Sequence, residues 1–384
     1  MTRQRCLILM ADTGGGHRAA ARAIHEGLDL AFPDRFEVIV SDPLAAAVWP
    51  IGGFGRGYGP LVQHLPELYG AAWHRSDGMR AAAALHAALR PGLDPVLRRL
   101  YAEARPDLVL SVHPMLTRRA QRVLRAGGSL APFAVVVTDL FDAHAMWFEP
   151  EAELCALPTE GAAALARRRG MPADRLRVLG QPIRPCFAAA APDQTALRAN
   201  LGLDPLRATV LLTGGGDGLG RMPALARGIA HCGLPLQLVV IAGRNRGLVD
   251  RLSREPWPSG VSVEVRGFVD NMVDWMHAAD LIVTKAGPGT IMEALAAGLP
   301  ILLHGYLPGQ EEGNLRYLIE HDLGDYAERP EAIAARVAHW LAPEQAAALL
   351  AWRRRALSAA RPAAALDIAT ALAGLLEPTS KLGG

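Results

Sequence analysis

Four short strings place small, polar and ionisable residues where chemistry can be done. The first, Asp12-Thr13-Gly14-Gly15-Gly16-His17, follows an apolar run and opens an amphipathic stretch through Ala20, Ile24 and Leu28. A glycine turn at a helix start presents backbone N–H groups to an anion. The run is neither the dinucleotide fingerprint nor a Walker loop, which counts against NAD and ATP. His17 is open to two readings here: a catalytic group, or a surface residue on a tight strand-to-helix turn. The second string, Thr213-Gly214-Gly215-Gly216-Asp217-Gly218-Leu219-Gly220, repeats the pattern in the other half of the chain.

In the third, Lys285-Ala286-Gly287-Pro288-Gly289-Thr290-Ile291-Met292-Glu293, the N–H groups of Gly289 and Thr290 can meet a phosphate. Spacing alone favours Glu293 as the far end of a capping box begun by Thr290, which would satisfy orphan backbone donors. The fourth, His304-Gly305-Tyr306-Leu307-Pro308-Gly309-Gln310-Glu311-Glu312-Gly313-Asn314, offers amides and carboxylates that suit sugar hydroxyls, or else forms an ordinary polar loop.

The elements that must position these strings alternate from end to end: short β-rich apolar runs, then alanine- and leucine-rich helical stretches. The expected class is α/β with parallel sheets. Strands are predicted at residues 6–10, 36–40, 108–112, 133–137 and 153–156, and again at 209–213, 236–242, 261–266, 281–284 and 301–304. A chain of 384 residues, 51% of them apolar, is long enough for two cores. An N-terminal domain is expected over 1–185 and a C-terminal one over 186–355, with a helix and tail over 356–384 and a linker within 182–192. Two glycine loops at the carboxyl ends of leading strands would then face each other across a cleft. The stretch 343–375 reads as helix. The segment 49–80 breaks the rhythm with Trp49, Phe54, Tyr58, Tyr69 and Trp73 among glycines.

A net charge of +2 argues against nucleic acid as a partner. The four cysteines, Cys6, Cys155, Cys186 and Cys232, have no paired spacing and suggest neither zinc nor disulfides. With no export signal and no apolar run long enough to span a bilayer, the expected place is the cytoplasm, with any membrane contact peripheral.

Together the strings resemble the family of monogalactosyldiacylglycerol synthases and processive diacylglycerol glycosyltransferases. The resemblance also runs through Ser111-Val112-His113-Pro114, Val137-Thr138-Asp139-Leu140, Trp147-Phe148, Gly180-Gln181-Pro182-Ile183-Arg184-Pro185, Ala242-Gly243-Arg244-Asn245 and Gly267-Phe268-Val269-Asp270-Asn271-Met272, and so covers nearly the whole chain. It implies the GT-B fold, two Rossmann-like domains, and an inverting transfer of a hexose, galactose first, from a UDP-sugar to diacylglycerol. On that implication Glu293 holds the ribose, which outweighs the cap. Gly287, Pro288, Gly289 and Thr290, with Gly214, Gly215 and Gly216, meet the diphosphate; Gly15 and Gly16 join the donor set. Phe268 and Met272 border the uracil, and Gln310 and Glu311 bind the sugar.

Inversion needs a base and a group to steady departing UDP. His17, with an ordinary pKa of about 6.5, suits the first task. Asp139 is the rival, or orients His17, or caps a turn. Arg184 or Arg244 assists the leaving group. No Asp-x-Asp pair marks a bridging metal, and no permanently bound cofactor is expected. The aromatic segment, with Trp49, Phe54, Tyr58, Tyr69 and Trp73, reads as a contact with an anionic lipid surface on the inner face of the cell membrane, or as a mobile lid. The alternatives are a UDP-N-acetylglucosamine-dependent transferase acting on a lipid I-like acceptor, and a UDP-sugar epimerase or hydrolase.

Overall fold

The computed structural model describes residues 3–13, 15–47, 51–53, 61–62, 64–216, 218 and 220–377. Trp49, Phe54 and Tyr58 lie outside them. The chain forms two compact units. The first holds β1 (Gln4–Leu9), β2 (Phe36–Ser41), β3 (Leu108–Ser111), β4 (Phe133–Val136), β5 (Leu154–Leu157) and β6 (Leu176–Val178). They pair in the order β2-β1-β3-β4-β5-β6, every neighbour parallel. The period of two along a strand sends Leu7 and Leu9 into one core layer and Cys6 and Ile8 into the other, so both faces are buried, as a parallel sheet requires.

The second unit repeats the plan with β7 (Thr209–Thr213), β8 (Gln237–Ile241), β9 (Ser262–Arg266), β10 (Leu281–Lys285), β11 (Ile301–Gly305) and β12 (Gly324–Tyr326), in the order β12-β11-β10-β7-β8-β9. Five strands per half were expected from the sequence. The two that escaped, β6 and β12, are edge strands of three residues each, too short to carry an alternating pattern.

The units part between Pro185 and Cys186, and the chain leaves the second unit after Pro362. The expected single helix over 343–375 is broken into Ala346–Ala359 and Ala364–Gly374, because Pro362 lacks an N–H and disfavours helical geometry before it. The second of these helices belongs to the first unit, where Ile368, Ala369, Leu372 and Ala373 pack with Ile24, Leu28 and Phe36. The close approach is set by Gly27, where a Cβ would stand 2.6 Å from the Ala365 carbonyl oxygen.

Candidate active site

In each sheet the strand order reverses once near the middle, between β1 and β3 in the first unit and between β7 and β10 in the second. Loops leaving such strands diverge to opposite sides and open a crevice at their carboxyl ends. The first string follows β1, the second and third follow β7 and β10, and the fourth follows β11 beside them.

In the first unit, helix Gly16–Ala31 follows β1 and buries His17 together with Ala20, Ile24 and Leu28. His17 is thus not a surface residue. Its Nδ1 lies 2.7 Å from the Val112 carbonyl oxygen, which can only accept. The neutral ring therefore carries its proton on Nδ1 and a lone pair on Nε2. The Thr138 hydroxyl stands 3.4 Å from the same Nδ1. Burial pushes His17 down to about 4, against the small opposing effect of the Val112 carbonyl, so the expected value near 6.5 is corrected.

His113 meets His17 edge to face at 4.3 Å between ring centroids. Its Nδ1 accepts the Met115 N–H and caps helix Pro114–Ala126, so Nε2 carries the hydrogen and donates to Thr13 Oγ1 at 3.1 Å. Burial, then the neighbouring His17, hold His113 well below its usual range. One string, Ser111-Val112-His113-Pro114, thereby fixes both rings. Asp139, also buried, accepts the indole N–H of Trp147 at 2.6 Å, and the Trp147 ring lies 6.0 Å from His17. Arg184 is paired with Glu26 of the first helix, its Nε within 3.1 Å of both carboxylate oxygens.

In the second unit, Gly215 has φ +77, a left-handed conformation that glycine adopts without strain. The Gly216 carbonyl accepts the Arg244 N–H at 2.9 Å, and a Cβ on Gly243 would come within 2.3 Å of that same oxygen, so the loops after β7 and β8 touch backbone to backbone. After β10, helix Pro288–Ala296 begins on Gly287 with no side-chain cap. Thr290 and Glu293 are inside the helix, which removes the capping-box reading: Pro288 at the first helical position starts the helix earlier than Thr290. The N–H groups of Gly289 and Thr290 in its first turn carry no side-chain cap.

Lys285, at the end of β10, forms an ion pair with Glu311 Oε1, while Glu311 Oε2 accepts the Leu307 N–H at 3.0 Å. Glu311 is buried and Gln310 half-buried. His304, at the end of β11, is pushed down to about 4 by burial, with Lys285 adding to the effect. Phe268 is 58% exposed, and Met272 opens the short helix Met272–Ala278.

Tyr69 and Trp73, expected on the lipid side, lie half-buried on helix Pro66–Ser76, with Trp73 edge to face on His144 at 4.7 Å. By the helical period residues 69, 73 and 76 share one face, while Leu68, 59% exposed, lies about a quarter-turn away from it. Sequence reading gave no role to His113 or Lys285, although both follow a strand end directly, and that position was their signal.

A family model described as monogalactosyldiacylglycerol synthase matches residues 17–183, and one described as glycosyltransferase family 28 C-terminal domain matches residues 209–316. The chain is 38% identical to a probable monogalactosyldiacylglycerol synthase, chloroplastic, of Nicotiana tabacum, over 95% of this chain and 69% of the relative. It is 38% identical to the Spinacia oleracea synthase over 95% and 71%, and 36% identical to monogalactosyldiacylglycerol synthase 1 of Arabidopsis thaliana over 95% and 70%.

Among solved structures, Acinetobacter baumannii MurG superposes with a TM-score of 0.60 at 13% identity, covering 97% of this chain and 99% of that one. The calicheamicin glycosyltransferase CalG4 gives 0.60 at 16%, covering 98% and 100%. These show the GT-B glycosyltransferase fold. The expected location, the cytoplasm at the inner face of a cell membrane, is corrected by the relatives, which are chloroplastic proteins by name. Scattered cysteines do not distinguish one reducing compartment from another. With both sequence domains matched and the relatives aligned along almost the whole chain, the protein belongs to the monogalactosyldiacylglycerol synthase family.

Proposed function

We propose that this chain, a UDP-sugar-dependent hexosyltransferase by family, moves galactose from UDP-galactose onto the free hydroxyl of diacylglycerol with inversion. The observation that carries the reading is the identity to monogalactosyldiacylglycerol synthases, 36–38% along most of the chain. The hydroxyl oxygen attacks C1 of the sugar as the bond from C1 to the β-phosphate oxygen breaks, its electron pair leaving with UDP. The hydroxyl proton passes to His17 Nε2, the nitrogen that the Val112 carbonyl keeps unprotonated. As the ring becomes cationic, its Nδ1–H bond to that carbonyl strengthens and offsets part of the cost of burying charge.

Asp139 serves this step by fixing the Trp147 indole beside the ring. Glu293 takes the ribose, Phe268 and Met272 flank the uracil, and the glycine loops with Gly289 and Thr290 take the diphosphate. Arg184 or Arg244 adds charge against the departing UDP. Helix Pro66–Ser76 rests on the lipid surface through Leu65 and Leu68, with Arg75 in its last turn toward anionic headgroups.

The test is UDP release by the purified protein from UDP-galactose, UDP-glucose and UDP-N-acetylglucosamine, each with and without diacylglycerol in anionic vesicles, with the product identified. Lipid-dependent release from UDP-galactose alone, giving a β-galactolipid, is expected. Release independent of lipid, or a different sugar in the lipid, would overturn the reading.

A further inference from the structure

We propose that Lys285 carries the positive charge that meets the donor diphosphate and that Glu311 is the positioning residue holding it, not a ligand of the sugar; this rests on the donor site proposed above. Lys285 ends β10 at the reversal point of its sheet. A Cβ on Gly215 would stand 3.4 Å from its Cε, and one on Gly287 would stand 3.5 Å from its Nζ. The ammonium thus lies beside the loop after β7 and the start of helix Pro288–Ala296, and neither glycine has a side chain to cover it.

Glu311 is fixed from both ends, by Lys285 on one oxygen and the Leu307 N–H on the other. Its side chain is 7% exposed and that of Lys285 is 28%, so the carboxylate forms the buried wall and the ammonium the accessible tip. An ammonium has three donors, and Glu311 takes one. A flexible lysine held this way loses its rotamer freedom before the nucleotide arrives. His304, pushed down to about 4 by burial, stays neutral at neutral pH and adds no charge of its own to the site. Its Nε2, buried with no partner in full hydrogen-bond geometry and within reach of the charges of Lys285 and Glu311, is a polar group for the site to use. With a side chain only 7% exposed, Glu311 has little surface left on which to accept sugar hydroxyls.

Binding of UDP, UDP-galactose and uridine is measured by calorimetry for the wild type, Glu311→Gln, and the double variant Lys285→Met with Glu311→Gln, which avoids leaving a lone buried charge. The double variant is expected to bind UDP about tenfold to a hundredfold more weakly, the worth of a charge-assisted hydrogen bond, and uridine as the wild type does. Unchanged uridine affinity also shows that the unit is folded. Glu311→Gln alone is expected to weaken UDP and UDP-galactose by the same factor, because it acts through Lys285.

UDP affinity equal to wild type in the double variant would overturn the role of Lys285. Loss confined to UDP-galactose in Glu311→Gln would assign Glu311 to the sugar and overturn its positioning role. A wild-type chain that binds neither UDP nor uridine would overturn the donor site itself, a result distinct from both.

Discussion

His17 is asked to take up a proton where burial resists positive charge. Pushed down to about 4 by burial, it is neutral throughout the neutral range, and the turnover limb that reports it is expected only as pH approaches about 4. A kcat/KM profile that instead falls with a midpoint near 6.5 would remove His17 as the base. Replacing His17 with Ala is expected to leave UDP affinity unchanged and to lower kcat by about a hundredfold to ten-thousandfold. Equal losses in UDP affinity would point to a misfolded loop. Stability follows the same shift: His17, His86 and His304 all lie near 4 in the folded chain against about 6.5 unfolded. Below 6.5 the unfolded state binds more protons, so each contribution is complete above that value and is lost as pH falls toward 4, at about 1.4 kcal/mol per pH unit per histidine.

Among the elements, helix Met79–Ala104 carries His86, buried with neither ring nitrogen in full hydrogen-bond geometry; burial lowers its pKa, the Met146 backbone favours its protonation, and Arg118, Arg119 and Arg122 oppose it. An unsatisfied buried polar group costs about 1–3 kcal/mol, so His86→Leu is expected to raise stability and flatten the acid loss between pH 6.5 and 5. Lower stability at both pH values in urea melts would show that the ring is needed for packing. Helix Gly16–Ala31 supplies the opposite case at Gly27. Gly to Ala within a helix normally stabilises by roughly 1 kcal/mol. Here the added methyl would meet the Ala365 carbonyl at 2.6 Å, and overpacking by about 1–3 kcal/mol wins. Gly27→Ala should therefore loosen helix Ala364–Gly374, seen as faster proteolysis of the C terminus; unchanged proteolysis would mean the helices part without cost.

At the scale of the whole molecule, the chain closes its first unit only with its last helix, after the second unit is complete. Removing residues 363–384 uncovers Ile24, Leu28 and Phe36, and each large apolar side chain left in water costs about 1.5–3 kcal/mol. The truncated chain is expected to lose diacylglycerol-dependent turnover while still binding UDP through residues 186–362. Full turnover in the truncated chain would show that the last helix contributes little to the first unit.

The alternation of strand and helix, its repetition as two parallel sheets and the four strings were legible in the sequence because each rests on local physics: period and turn chemistry. Glycine loops after strands pointed to Gly15, Gly215 and Gly287 without any contact being known. What only tertiary structure decided is which groups those local signals bring together. Val112 fixes the tautomer of His17 across 95 residues of sequence, and Glu311 takes Lys285 across 26. No periodicity encodes such pairings, because they are set by strand order and by the reversal of that order at β1/β3 and β7/β10. Burial, likewise a property of the packed whole, set His17 in the core, where the sequence had left a surface turn open, and brought Trp73 onto His144.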